Sequence, residues 1–459
     1  MGDRIIIMKR RKRKKEKQIL YFGITLAVII GSGLFVLYLI SNARRLNEKD
    51  NMFQEGAVEN TEDLQEKMEK EIIDPEPEPV ENTEEAGQNE NELPEIEQEI
   101  QMVTMAFGGD VCFHDEYANM YSLQNRGGKI ESSLSEELLY EMQQADILMV
   151  NNEFSYSQRG APLPDKTFAF RSRPENVNLL HEMGVDIVSL ANNHVYDWGE
   201  DALFDTLDTL EGAGISYVGA GRNLDEAAAP YYYEINGRTI AFISATQVER
   251  NENPDTRGAT EVTAGTFRCF TEEEFSRLLD VIEEADRKAD LTVVYIHWGT
   301  ENTDELHWAQ EWQAPEIVKA GADLIVGDHP HCLQPIDYID GVPVFYSLGN
   351  FWFNSKTIDT GLLKVTYDET GKLRCRFLPA KQHDCRTDLM MGEEKQRILD
   401  YLQCISPDVT IDEEGYITDI PYSGPPIIYE DVQRLPPKPA ERPPEPDNGA
   451  QPAATDGNL

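Results

Sequence analysis

Apolar positions along the chain fall into three regimes. Ile19–Ile40 reads ILYFGITLAVIIGSGLFVLYLI without a single charge, directly after the basic block Lys9–Lys17, KRRKRKKEK. A run of that length predicts one helix across the hydrocarbon region of a membrane. The Lys/Arg flank predicts residues 1–18 in the cytoplasm and the C-terminal side outside the cell, against a weaker opposing signal from Arg44 and Arg45. A secretory signal would have a shorter apolar core and a small-residue cleavage site. The exit LYLISNARR is a poor site, so an uncleaved single-pass anchor over 19–40 is expected. Over 41–100 the apolar positions thin out among Glu, Asn and Gln, with a PEPEP run at Pro75–Pro79. Such a segment buries too little apolar area to fold, and reads as an acidic spacer. A folded domain is expected over 101–422, and a Pro-rich, disordered tail over 423–459.

Within 101–422 two periods alternate. Strand-like apolar runs are Met102–Phe107, Ile147–Val150, Asp186–Leu190, Thr239–Ser244, Leu291–Ile296, Asp323–Val326 and Val344–Ser347. Helical patterns lie between several of them, at Leu134–Gln144, Glu175–Met183, Asp201–Gly212, Glu272–Lys288 and His307–Ala320. Strands separated by helices predict an α/β fold with much parallel pairing. Leu362–Tyr367 and Leu373–Leu378, joined across Asp368–Lys372, predict a closing β-hairpin.

Composition narrows the function. The 459 residues carry a formal net charge of -43. Nucleic acid requires a basic surface, so it is excluded as a partner. An anionic substrate is not excluded, because bound cations reverse the charge locally. The six cysteines, at 112, 269, 332, 375, 385 and 404, form no CxxC pair, which argues against a structural zinc knuckle. An even count in an exported domain permits disulfides without assigning partners.

The chemistry sits where the strands end. Successive apolar runs terminate in Gly108-Gly109-Asp110, Asn151-Asn152-Glu153, Ala191-Asn192-Asn193-His194, His297-Trp298-Gly299 and Gly327-Asp328-His329-Pro330-His331. Open α/β sheets bind ligands beyond the carboxyl ends of their strands. Two carboxylates, an amide oxygen and three imidazoles form a mixed N/O donor set suited to Mn, Fe or Zn. Six or so ligands exceed one tetrahedral site and point to one or two divalent transition ions, two of them sharing a bridging carboxylate.

Taken with these clusters, Asp110 in GGDV, Glu153 in NNEF, ANNHVYDWG, IHWGTE, GADLIVGDHPHCLQP and FYSLGNF resemble the CapA family of bacterial capsule (poly-γ-glutamate) synthesis proteins. The likeness runs from about Met102 to Phe353. That family is similar to calcineurin-like metallophosphoesterases. The resemblance implies a four-layer α/β/β/α sandwich, here preceded by the transmembrane helix. It implies Asp110 and His331 on a first metal, Glu153 bridging, and Asn193, His297 and His329 on a second. His194 would protonate the leaving atom or steady the transition state. It further implies an anionic capsule polymer and membrane-embedded capsule synthase subunits as partners.

Two departures from the phosphoesterase pattern bear on this. The parent Asp-x-His motif is Asp110-Val111-Cys112 here, and the bridging residue is Glu153 where those enzymes carry Asp. Cys112 reads as a packing residue. Asp328 is either an orienting partner for an imidazole or a solvated carboxylate. Asn350, Glu301 and Arg171 are candidates for substrate contact, the last because a guanidinium pairs well with anions; each has an ordinary surface or turn role as its alternative. Three activities stay open: a capsule-polymer enzyme with His194 as general acid, a metal-dependent phosphoesterase of the cell envelope, and a non-catalytic scaffold of a capsule synthase complex.

Overall fold

The computed structural model describes residues 101–164, 166–248, 256–425 and 427. The expected anchor, basic block and spacer, and residues 428–459 of the expected tail, lie outside them. Among the described residues no helix is long and apolar enough to cross a membrane.

The principal strands, in chain order, are β1 (Val103–Val111), β2 (Ile147–Asn152), β3 (Ile187–Ser189), β4 (Ser216–Val218), β5 (Tyr231–Ile235), β6 (Arg238–Thr246), β7 (Leu291–His297) and β8 (Leu324–Asp328). They continue with β9 (Ile336–Ile339), β10 (Val342–Phe345), β11 (Asn350–Trp352), β12 (Ile358–Tyr367), β13 (Leu373–His383), β14 (Arg386–Leu389), β15 (Thr410–Ile411) and β16 (Tyr416–Thr418). The α-helices are α1 (Ala118–Asn125), α2 (Glu136–Gln143), α3 (Asn178–Met183), α4 (Glu200–Ala213), α5 (Leu224–Ala228), α6 (Glu272–Asp286), α7 (Trp308–Lys319) and α8 (Gly392–Ile405).

Two mixed sheets result. One runs β15-β16-β13-β12-β1-β2-β3-β4, with β11 added beside β1 and β14 beside β13; the other runs β9-β10-β8-β7-β6-β5. The sequence alternation explains how they stack. In β1, Met105 and Phe107 point one way, into a cluster with Ile147, Met149, Phe242, Val293, Tyr295 and Val326 drawn from both sheets. Ala106 points the other way, joining Leu148, Val150 and Val188 against Leu138 and Met142 of α2, Leu180 of α3 and Leu207 of α4. On the second sheet, Ile243, Val294, Ile296 and Ile325 turn outward onto Leu278 and Ile282 of α6 and Ile317 of α7. Period-two strands with both faces apolar therefore give helix, sheet, sheet, helix. The mixed α/β architecture anticipated from alternating periods is the one observed.

Helix starts follow local chemistry. Ser135 caps α2 by accepting the Leu138 N–H, and Thr271 with Glu274 forms a full capping box at α6. The Glu175–Met183 pattern resolves into a 3-10 turn, Pro174–Val177, followed by α3. The hairpin is β12–β13, antiparallel from Tyr367↔Leu373 outward. Strand β1 continues beyond its apolar run through Gly108-Gly109-Asp110, because parallel partners flank it there, with Asp110 opposite Asn151 on one side and Asn350 on the other. Gly109 makes that approach possible: a Cβ there would lie 1.9 Å from the Gly349 carbonyl oxygen. All six cysteines are free thiols, so the permitted disulfides do not form.

Candidate metal centre

The carboxyl ends of β1, β2, β7 and β8, and the loops after β3 and β8, converge on one buried point. Asp110, Glu153 and His297 are fully buried, with Asn193, His194 and His329 nearly so. The donor atoms form overlapping groups, each with all members within 4.8 Å of one another: Asp110, Glu153 and His331; Glu153, His297 and His329; and Asp110, His297 and Asp328. Asn193 joins the second, its Oδ1 lying 2.8 Å from His297 Nε2. The six residues singled out as ligands in the sequence thus lie together, in two groups that share Glu153.

Whether these donors fit a cation can be judged from their chemistry. His297 Nδ1 lies 2.8 Å from Asp328 Oδ1. Burial pushes the His297 ring down to about 3, so it is neutral and carries one N–H. Donated to Asp328, that proton leaves the Nε2 lone pair facing Asn193 Oδ1 and, at 3.0 Å, His329 Nδ1. An imidazole with its second nitrogen tied to a carboxylate is the usual arrangement of a metal-ligating histidine. Glu153 adds a second sign: its Oε1 is buried with no hydrogen-bond partner, 3.7 Å from His194 Nε2 and 3.9 Å from His297 Nε2. Burial, reinforced by the Asp110 and Asp328 charges, pushes the Glu153 carboxyl well up. Asp328 is raised the same way, by burial and then by Asp110. A carboxylate so placed calls for a cation. The donor set therefore fits a divalent ion, or two bridged by Glu153.

The other half of the site is polarised. His331 Nδ1 lies 2.8 Å from Asn350 Oδ1 and 3.2 Å from Asp110 Oδ2. Burial opposes charge on His331, but the Asp110 carboxylate outweighs it, and the ring sits above its ordinary value. Burial likewise opposes charge on Asp110, and the hydrogen bond and charge of His331 bring that carboxyl below its usual range. Both loop histidines adopt positive φ, 92° at His329 and 57° at His331. Non-glycine residues held there carry local strain, which the surrounding contacts of the site sustain.

His194 lies at the rim. Its Nδ1 is 2.7 Å from Asp197 Oδ2, and its ring stacks on Phe170 at 4.2 Å between centroids. Nε2 is left on the Glu153 side of the ring. Asp328 proves to be the buried partner of an imidazole, not a solvated carboxylate. Asn350 binds His331 directly. Cys112 packs in the apolar layer, its thiol pushed well up by burial. Glu301 is exposed in the loop after β7, and its charge adds to the upward push on Glu153. Arg171 is stacked over the Trp198 ring at 3.6 Å, held by an aromatic face and not by a carboxylate of the centre.

Asn151 and Asn192 carry more of the site than their residue types suggested. Asn151 Nδ2 donates to Asp110 Oδ1 at 3.0 Å, and its Oδ1 accepts from Asn192 Nδ2 at 2.9 Å. Asn192 Oδ1 then accepts the N–H groups of His194 and Val195. Both sit inside the strand-end clusters, so position was the available signal. Lys166 and Phe170 gave none, because a loop brings them to the centre.

Residues 104–355, more than half of the chain, match the family described as bacterial capsule synthesis protein PGA_cap. The PGA biosynthesis protein CapA of Bacillus subtilis (strain 168) is 32% identical over 231 residues, covering 50% of this chain and 59% of that protein. The capsule biosynthesis protein CapA of Bacillus anthracis is 33% identical over 213 residues, 45% of this chain and 50% of that protein. The chain thus spans between half and three-fifths of the length of these relatives. A crystal structure of TT1561 of Thermus thermophilus aligns over 60% of this chain and 98% of its own at 10% identity, with a TM-score of 0.33, too low to establish a common fold. On the match over residues 104–355, this chain belongs to the bacterial capsule synthesis protein PGA_cap family.

Proposed function

We propose that this chain is a membrane-anchored, extracytoplasmic protein that acts in the synthesis, export or attachment of an anionic capsule polymer of the poly-γ-glutamate kind, through a metal centre of the metallophosphoesterase type. The observation that carries the catalytic part is the pair of donor groups sharing Glu153, with its unpartnered Oε1 beside His297 and His194. Family membership and the capsule proteins of the two Bacillus species support the polymer. The uncharged Ile19–Ile40 run and its basic flank support the anchor. Membrane-embedded synthase subunits are the partners this role requires.

A bound divalent transition ion, Mn, Fe or Zn, would supply Lewis acidity at this centre. Asp110 and His331 would hold one ion, and Asn193, His297 and His329 a second, with Glu153 between them. Asn151 fixes the Asp110 carboxylate, and Asp328 fixes the His297 ring so that Nε2 faces the centre. His194 is the proton donor. Asp197 holds its Nδ1, so Nε2 is the atom that gives a proton to the leaving group. The reaction class is hydrolysis or transfer at a phosphoester or acyl bond of the polymer or its carrier. Asn350 and Glu301, beside His331, and Arg171, beside Phe170, are the candidates for contact with the remainder of the substrate.

The test is His194→Ala in the full-length chain. Turnover of a model phosphodiester and capsule output should fall by roughly 10²–10⁴-fold, the scale of acid–base contributions, with bound metal unchanged. Wild-type capsule output in the His194→Ala strain would remove the enzymatic reading and leave a scaffold.

A further inference from the structure

The turn that carries Asn193 and His194 is gripped by a segment remote from it in sequence. The Leu163 N–H donates to the Asp197 carbonyl at 2.8 Å, and the Phe170 N–H donates to Asp197 Oδ2 at 2.7 Å. Lys166, between them, sends its ammonium to the same place. It donates to the Asn193 carbonyl oxygen and pairs with Asp197 Oδ1. The ion pair is shut away from solvent, with the Lys166 side chain 6% exposed and that of Asp197 fully buried. The two oxygens of Asp197 are thereby divided: Oδ1 belongs to Lys166, and Oδ2 to His194 and the Phe170 amide.

We propose that Lys166 is a positioning residue for the His194 step. A carboxylate turns easily about its last torsion. One that only met His194 through Oδ2 could rotate and release the ring. An ammonium fixed on Oδ1 stops that rotation, and its second bond, to the Asn193 carbonyl, ties the metal-side residue to the same anchor. The face of Phe170 closes the remaining side. Lys166 so acts on two neighbours at once, holding the Asn193 backbone and setting the direction of His194 Nε2. A buried ion pair is poor evidence for stability, because desolvation offsets its attraction, and orientation is the better account of this one. The inference rests on the proposed role of His194 as proton donor.

The experiment compares Lys166→Met, Lys166→Arg and Lys166→Gln in the full-length chain, with circular dichroism confirming the fold of each. With a model phosphodiester, Lys166→Met should lower kcat about 10–100-fold, as loss of an orienting partner does, while KM and metal per chain stay at wild-type values. Lys166→Arg should recover most of the loss. The decisive comparison is in the His194→Ala background, where adding Lys166→Met should change kcat by less than about twofold, because residues acting as one unit are not additive. An equal loss in both backgrounds, or an unchanged kcat in Lys166→Met, overturns the proposal. If Lys166→Met does not fold, Lys166→Gln takes its place in the same cycle. A readout independent of turnover separates this inference from the reaction itself. As a general acid His194 carries protons on both nitrogens, and in nitrogen-15 spectra the neutral ring left after Nε2 gives up its proton should keep the remaining proton on Nδ1 in the wild type, against Asp197 Oδ2, and lose that preference in the Lys166 variant. Ring signals identical in both would overturn the role of Lys166 even if the model phosphodiester proves not to be a substrate.

Discussion

Individual side chains divide the centre unequally. His329 belongs with Glu153 and His297, whereas His331 belongs with Asp110 and Asn350. Removing one should therefore spare the other half. Metal analysis of His329→Ala and of His331→Ala is expected to find a partial loss in each, and a near-complete loss in the double variant. Equal and complete loss in both single variants would contradict two groups bridged by Glu153. The protonation of the centre gives a second expectation. Burial raises Glu153, and Asp110 raises His331, so each keeps its proton to a higher pH than usual in the metal-free protein. A cation must displace those protons. Apparent affinity should then weaken as pH falls through the raised values and strengthen as pH rises. Calorimetry in buffers of different ionisation heat should register proton release on binding. Binding without proton release, or affinity that does not weaken on acidification, would contradict this protonation state.

At the level of elements, β1 is the strand that aligns the two halves of the site. It lies between β2 and β11, so the register that sets Asp110 opposite Asn151 also sets it opposite Asn350. Gly109→Ala puts a methyl 1.9 Å from the Gly349 oxygen, and backbone has to move. That variant should lose thermal stability and metal together. Thr271→Ala removes the capping box of α6 on the far face and should cost about 1 kcal/mol with metal content unchanged. Loss of metal in Thr271→Ala, or its retention in Gly109→Ala, would show that the site does not depend on β1 register. The same elements mark how far the sequence could be read. The strands of the two sheet centres were legible because both faces are apolar, giving continuous runs such as Leu291–Ile296. Strands β5 and β9, at the sheet edges, were not, since half-exposed residues there weaken the pattern. Helix α8 was hidden by a Glu/Lys-rich start, its core contacts beginning only at Ile398 and made by Ile398, Leu399, Tyr401, Leu402 and the partly buried Ile405.

Across the whole molecule, the candidate ligands were legible because a polar cluster ends each of several buried strands, and strand ends of an α/β sheet converge. What the sequence left open was which neighbours hold those ligands. Asp328 could be told from a solvated loop residue only once β8 was seen to end on it, beside His297. Lys166 and Phe170 come from a connecting segment whose path no periodicity encodes. Arg171, chosen for its charge, is stacked on Trp198 instead. The proposed membrane anchor carries its own expectation. Protease added to intact protoplasts should digest the C-terminal domain and spare the basic N-terminal end, and a protected domain would reverse the orientation. The proposed function turns on metal held by a shared carboxylate. Its most direct test is the transition-metal content of the full-length chain, wild type against Glu153→Gln. The expected result is one or two ions per wild-type chain and almost none in the variant, with an unchanged circular dichroism spectrum. A wild-type chain without stoichiometric metal, or equal content in the two proteins, would contradict it.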